Sequence, residues 1–150
     1  MKRITFVICS ILLSMNVFAQ LNVQSESAKV EKIGTLRSTY AYLYARDSTY
    51  IISIRTTNDF DKGTRFVLGI SSESSIQTLN DLIGAANRME SGASLEVMDA
   101  SGERAVITRK TMIGKPYLII HMSSQAGNSN ITVAELEKAI DLIREHAKKE

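Results

Sequence analysis

The stretch Tyr40-Ala41-Tyr42-Leu43-Tyr44-Ala45 alternates a phenol with a small or aliphatic side chain at every step. Successive side chains of an extended strand leave opposite faces, so Tyr40, Tyr42 and Tyr44 share one face while Ala41, Leu43 and Ala45 share the other. Such a strand is half buried, one face meeting a core and the other meeting water or a partner. The pattern belongs to antiparallel sheets covered on one side only.

Working outward, Leu36 to Ala45 and Tyr50 to Arg55 are rich in Tyr, Ile and Thr and read as two strands joined by the turn residues Arg46-Asp47-Ser48-Thr49. A polar loop, Thr57 to Gly63, leads to a third strand at Thr64 to Ile70. A helix follows, capped by Ser74 or Ser75, with Ile76, Leu79, Ile83 and Ala86 forming one apolar stripe that Leu82 and Met89 widen. Gly84 costs it up to about 1 kcal/mol relative to Ala. Its end falls near Ser91-Gly92.

The order then recurs. Ala93 to Met98, Arg104 to Thr111 and Tyr117 to Met122 read as strands around the turns Ser101-Gly102 and Ile113-Gly114-Lys115-Pro116. After the polar loop Ser123 to Asn130, Thr132 and Glu135 open a second helix as a capping box, with the stripe Val133, Leu136, Ile140, Ile143 and Ala147. Asp141 with Arg144 and Glu145 with Lys149 pair on its outer faces. The run Val67-Leu68-Gly69-Ile70-Ser71-Ser72 matches Ile119-Ile120-His121-Met122-Ser123-Ser124 in pattern, and the two helix stripes superpose. The reading is a duplicated βββα unit, with halves of about 33–92 and 93–150. Neither half has the area for a secure core of its own. The expected fold is therefore α+β: one antiparallel sheet of about six strands with two helices across one face, in a single domain over 33–150.

The chain begins with Lys2 and Arg3, an apolar run from Ile4 to Met15, and Val17-Phe18-Ala19 before Gln20. This is the three-part pattern of a signal peptide over residues 1–19, with cleavage after Ala19. Ser10, Ser14 and Asn16 leave the run too short and polar for a comfortable membrane span, so no stable anchor is expected after cleavage. Residues 20–32 are polar without sustained periodicity and read as a flexible N-terminal segment. The expected location is the periplasm or the extracellular space.

Of 150 residues, 44% are hydrophobic and 23% charged, which fits a globular domain and disfavours disorder. The formal net charge of +2 resides in Lys2 and Arg3, so the chain after the leader is balanced. Balanced charge with no basic run removes the main argument for nucleic acid as a partner, and the same holds for anionic lipid. The single Cys, Cys9, lies in the leader, which leaves the exported part without a disulfide or a thiolate.

The tyrosines are the most distinctive candidates for a site. Tyr40, Tyr42 and Tyr44 form a binding surface on the open sheet face, since Tyr combines a rigid apolar body with a polar tip, or they fill the core beside Ile52 and Ile54, or they merely coat the strand by cross-strand pairing. The loop Asn58-Asp59-Phe60-Asp61-Lys62-Gly63 carries oxygen ligands but lacks the bidentate Glu of a calcium loop, and reads as a solvated turn. His121 and His146 have no metal-ligand spacing. Ser71, Ser72, Ser74, Ser75, Ser123 and Ser124 lack a nucleophile elbow and suit helix capping. Asn130-Ile131-Thr132 fits the glycosylation pattern, but Thr132 already serves as a cap. No metal or other cofactor is implied.

The expectation is an exported, non-enzymatic binding module that contacts protein, or a second copy of itself, through its open sheet face or an edge strand. The alternatives are a small serine hydrolase using Ser123 or Ser71 with His121, and a carrier of a small apolar ligand between helices and sheet.

Overall fold

The computed structural model describes residues 29–38, 40–55, 63–125 and 127–149. The leader, most of the segment before β1 and the loop from Asn58 to Lys62 lie outside the described residues. Eight strands and two helices follow in the order β1 (Val30–Arg37), β2 (Ala41–Arg46), β3 (Thr49–Ile54), β4 (Thr64–Gly69), α1 (Ser72–Arg88), β5 (Ser94–Met98), β6 (Arg104–Met112), β7 (Lys115–Met122), β8 (Ser129–Thr132) and α2 (Val133–Ala147). The fold is α+β, and all strand pairing is antiparallel.

The single six-stranded sheet is corrected to two four-stranded sheets, β1-β2-β3-β4 and β5-β6-β7-β8. The physical reason lies at the outer edge of β4. The Arg65 N–H donates to Gln125 Oε1 at 2.7 Å, and Gln125 Nε2 donates back to the Arg65 carbonyl at 3.1 Å. The Val67 N–H donates to Asp99 Oδ2 at 3.1 Å, and the Ala100 N–H donates to the Val67 carbonyl at 3.0 Å. Side chains and a turn from the second half thus satisfy the groups that a fifth strand would have used, so the first sheet stops there.

Two strands escaped the sequence reading. β1 starts at Val30, inside the segment read as flexible, and what looked like one strand from Leu36 to Ala45 is the end of β1, a turn, and β2. The turn is closed by the Tyr40 N–H donating to the Arg37 carbonyl at 3.3 Å. β1 shifts register twice against β2, so its side chains show no clean alternation. β8, only four residues long, lies within what read as a polar loop and the cap after it.

One hydrophobic cluster unites both sheets and both helices. From the first sheet come Ala41, Leu43, Ala45, Tyr50, Ile52, Ile54, Phe66 and Leu68, and from the second Ala105, Ile107, Leu118, Ile120, Met122 and Ile131, all nearly or fully buried. The buried side of α1 is Ser75, Leu79, Leu82 and Ala86, turned about one position from the expected stripe, with Ile76 and Ile83 only partly covered. Gly69 explains the turn: a Cβ there would lie 2.7 Å from the Ser75 backbone nitrogen, so its absence admits Ser75 against β4. The cap of α1 is Ser71, in a reciprocal box with Ser74, rather than Ser74 or Ser75 itself, and the helix stops at Arg88, short of Ser91-Gly92.

The second helix belongs in sequence to the second half but packs on β1 of the first. Leu142 occupies the space where Gly34 carries no Cβ, and Tyr50 Oη lies 3.2 Å from His146 Nδ1. Arg37, at the end of β1, reaches Glu135 with Nε at 2.5 Å and Nη2 at 2.8 Å, and donates to Asn130 Oδ1 at 2.8 Å. Glu135 also completes the expected capping box with Thr132. Burial pushes the Glu135 carboxyl up, but hydrogen bonds from Arg37 and Thr132 outweigh it and hold the group below the usual carboxylate range. This junction locks the two halves together. The expected Asp141–Arg144 pair is present at 3.7 Å on the exposed side of α2.

Candidate surface on the first sheet

The face of the first sheet turned away from the core is built by parity. Because Ala41, Leu43 and Ala45 are buried, Tyr42, Tyr44 and Arg46 point outward, and the register places Ser53 opposite Tyr42 and Ile51 opposite Tyr44. Across the next pair, Arg65 stands opposite Ser53 and Val67 opposite Ile51. On the other side, Lys32 stands opposite Tyr44 and Thr35 opposite Tyr42. Tyr42 and Tyr44 are half-buried neighbours with ring centroids 6.3 Å apart. The Lys32 ammonium sits 3.8 Å from the centroid of the Tyr42 ring, a cation–π contact that occupies that ring.

Tyr40 is placed differently from the sequence expectation. It lies in the β1–β2 turn rather than on β2, is 41% exposed, and accepts a hydrogen bond from the Arg55 N–H through its carbonyl at 2.6 Å. The row of three phenols is therefore a strand pair plus a turn residue.

A shallow cleft of about 400 Å³ runs over this face, lined by Val30, Tyr44, Arg46, Ile51, Ser53, Arg55 and Arg65. Its three arginines come from or adjoin three different strands and are exposed. Among the described residues, none of them is paired with a carboxylate. Two acidic groups from the second half at the β4 margin are engaged elsewhere: Asp99 Oδ1 accepts from the Ser101 and Glu103 N–H groups while its Oδ2 accepts from Val67, and Glu103 accepts from Ser124 and from Gln125. The result is a cationic, aromatic surface with Ile51 beneath it and the exposed Val30 at its edge.

Sequence reading found the tyrosines and missed the cations. Arg46 shares parity with Tyr42 and Tyr44, a signal present in the sequence, but Arg55 and Arg65 join them only once the strand register is known.

The remaining singled-out residues are dispersed. Ser71 and Ser74 hydroxyls bond each other at 2.9 Å in the cap of α1, and the Ser75 hydroxyl donates to the Ser71 carbonyl at 2.7 Å. His121 Nδ1 lies 3.3 Å from the Gly127 carbonyl, and no hydrogen bond joins His121 to Ser71 or Ser123 among the described residues. His146 contacts Tyr50 edge-on and lies 4.0 Å from Glu31. Among the described residues no group of three or more His, Cys, Asp or Glu is placed so that it could hold a metal ion, and no helix is long and apolar enough to cross a membrane. No family model, curated protein or solved structure gives a significant match to this chain.

Proposed function

We propose that this protein is an exported, non-enzymatic binding module that contacts another protein through the open face of its first sheet. The observation that carries this reading is the cleft flanked by Arg46, Arg55 and Arg65, whose cations have no carboxylate partner among the described residues. An exposed cluster of like charges gains nothing for folding and gains Coulomb energy when a complementary surface arrives. The half-buried Tyr42 and Tyr44 add rigid contact area beside it. Export rests on the leader pattern of residues 1–19.

The test is a photo-crosslinking residue in place of Ser53 in the full chain, expressed in its native cell. A specific crosslinked protein that disappears when Tyr42 and Tyr44 are replaced by Ser supports the reading. Absence of any adduct, with the protein correctly exported and folded, overturns it.

The element order also supports descent from one duplicated unit, enlarged from βββα to ββββα. Each half is four strands and a helix, and each helix opens with a reciprocal capping box directly after its fourth strand, Ser71 with Ser74 and Thr132 with Glu135.

A further inference from the structure

We infer that the partner segment recognised by this face is an extended acidic polypeptide. The inference rests on the reading that the face contacts protein, and it assigns the chemistry of what is bound. Arg46 pairs with Thr49 at one end of the β2–β3 ladder, and Arg55 lies six residues beyond Thr49 at the other. At about 3.3 Å per residue the two backbone positions are roughly 20 Å apart along the strands. A lone carboxylate or phosphate cannot engage both ends, whereas about six residues of extended chain span the distance.

The line of the cleft has cations at both ends and apolar groups between. Arg46 lies at one end with Val30 beside it, and Arg55 and Arg65 lie toward the other, with Tyr44 and Ile51 in the row between; Lys32 starts from that middle row and its ammonium rests on Tyr42. Acidic side chains set a few residues apart, with an apolar residue between, complement that order. Arginine guanidinium groups hold carboxylates by paired N–H donors, and Ser53 offers a hydroxyl beside Arg65.

Single-stranded nucleic acid is the competing polyanion, and the aromatic geometry disfavours it. Base binding needs exposed ring faces as platforms. Here Lys32 covers the Tyr42 ring at 3.8 Å, and Tyr42 and Tyr44 are half buried and tilted by 59° to each other. Charge for charge, the face is arranged to pair with side chains and not to stack bases.

The experiment measures fluorescence anisotropy of a labelled peptide of six Glu-Val repeats against the full chain at low salt. A Lys-Val peptide, an oligothymidylate and polygalacturonate of similar length serve as comparisons. The expected result is saturable binding of the Glu-Val peptide ahead of all three. Binding should weaken steeply as salt rises and fall roughly tenfold or more in Arg46→Glu/Arg55→Glu/Arg65→Glu. Should that variant melt early, the neutral Arg46→Gln/Arg55→Gln/Arg65→Gln protein is used, with a loss of several-fold expected. The same binding in Lys110→Glu, on the other sheet, is expected to match wild type. Equal binding of the Lys-Val peptide, tighter binding of either non-peptide polymer, or indifference to the arginine substitutions overturns the inference. The Ser53 crosslink separates the two readings: an adduct that survives arginine reversal sinks the acidic segment and leaves the protein-binding face standing, whereas no adduct at all sinks the face itself.

Discussion

The open faces of the two sheets have the same construction and differ in how their charges are paired. Both belong to four-stranded antiparallel sheets that turn their other side to one shared core. On the first, Lys32, Arg46, Arg55 and Arg65 have no carboxylate partner among the described residues. On the second, Glu96 holds Arg104 at 3.1 Å, and Ser94 and Thr108 share a hydrogen bond of 2.8 Å across the strands. The second face pairs Arg104 within itself, and Lys110 is its one outward cation on β6 without a carboxylate partner among the described residues. The first leaves its charge to be answered from outside, which is where recognition is expected.

That contrast presumes a single folded body, and the largest expected effect tests the premise. Leu43→Ala in the first sheet and Ile120→Ala in the second each remove a fully buried side chain from the common cluster. Each should cost about 2–5 kcal/mol. Calorimetry should show one transition in both variants. Two separate transitions would mean that the sheets are independent bodies and that their faces are not comparable parts of one domain.

Next in size is the junction that joins the sheets. Glu135→Ala removes both the Arg37 partner and half of the α2 capping box, at about 1–2 kcal/mol. Because the folded protein holds the Glu135 carboxyl below its usual range, the stability it contributes is present above about pH 4.5 and is lost as pH falls through the folded value. Denaturant titrations from pH 6 to pH 3 should therefore show the wild-type advantage over Glu135→Gln shrinking at the acid end. A difference that stays constant over that window would assign the effect to packing.

The hairpin turns of the two sheets differ as well. Asp47 takes a left-handed φ of 51° in the β2–β3 turn, a conformation Asp tolerates, whereas Ile113 takes 52° in the β6–β7 turn while 96% exposed. Ile113→Asn should relieve that strain with no packing to lose and raise stability by about 1 kcal/mol. An unchanged or lowered melting temperature would show that the β-branched residue is accommodated without cost.

The smallest effect sharpens the contrast most directly, because its sign differs between faces. Arg65→Gln should stabilise by a few tenths of a kcal/mol by easing like-charge repulsion, whereas Arg104→Gln should destabilise by a similar amount through loss of Glu96. Both differences should fade in high salt. Equal signs at low salt would show that the first face is already neutralised.

The parts of the fold legible in the sequence were those fixed by short-range periodicity. Tyr42, Leu43 and Tyr44 fell on the faces their alternation dictates, Thr132 and Glu135 made the cap their spacing dictates, and Leu79 and Leu136 are buried as their stripes require. β1 was lost because its two register shifts erase the alternation, and β8 because four residues at an edge carry almost no pattern. Ser75 lies buried where Ile76 was expected because Gly69, on another element, lets the helix approach on that side.

By itself, then, the order of residues determined which side of β2 is apolar and where α2 starts, because each depends on neighbours within a few positions. The tertiary structure alone decided that the sheet divides at β4, that α2 crosses to lie on β1, and that Arg46, Arg55 and Arg65 gather over one cleft. Those outcomes turn on which edge groups are satisfied from a distance and on cross-strand register, quantities with no local signature. A net charge of only +2 consequently concealed a cationic face, since net charge sums over residues and recognition depends on where they meet.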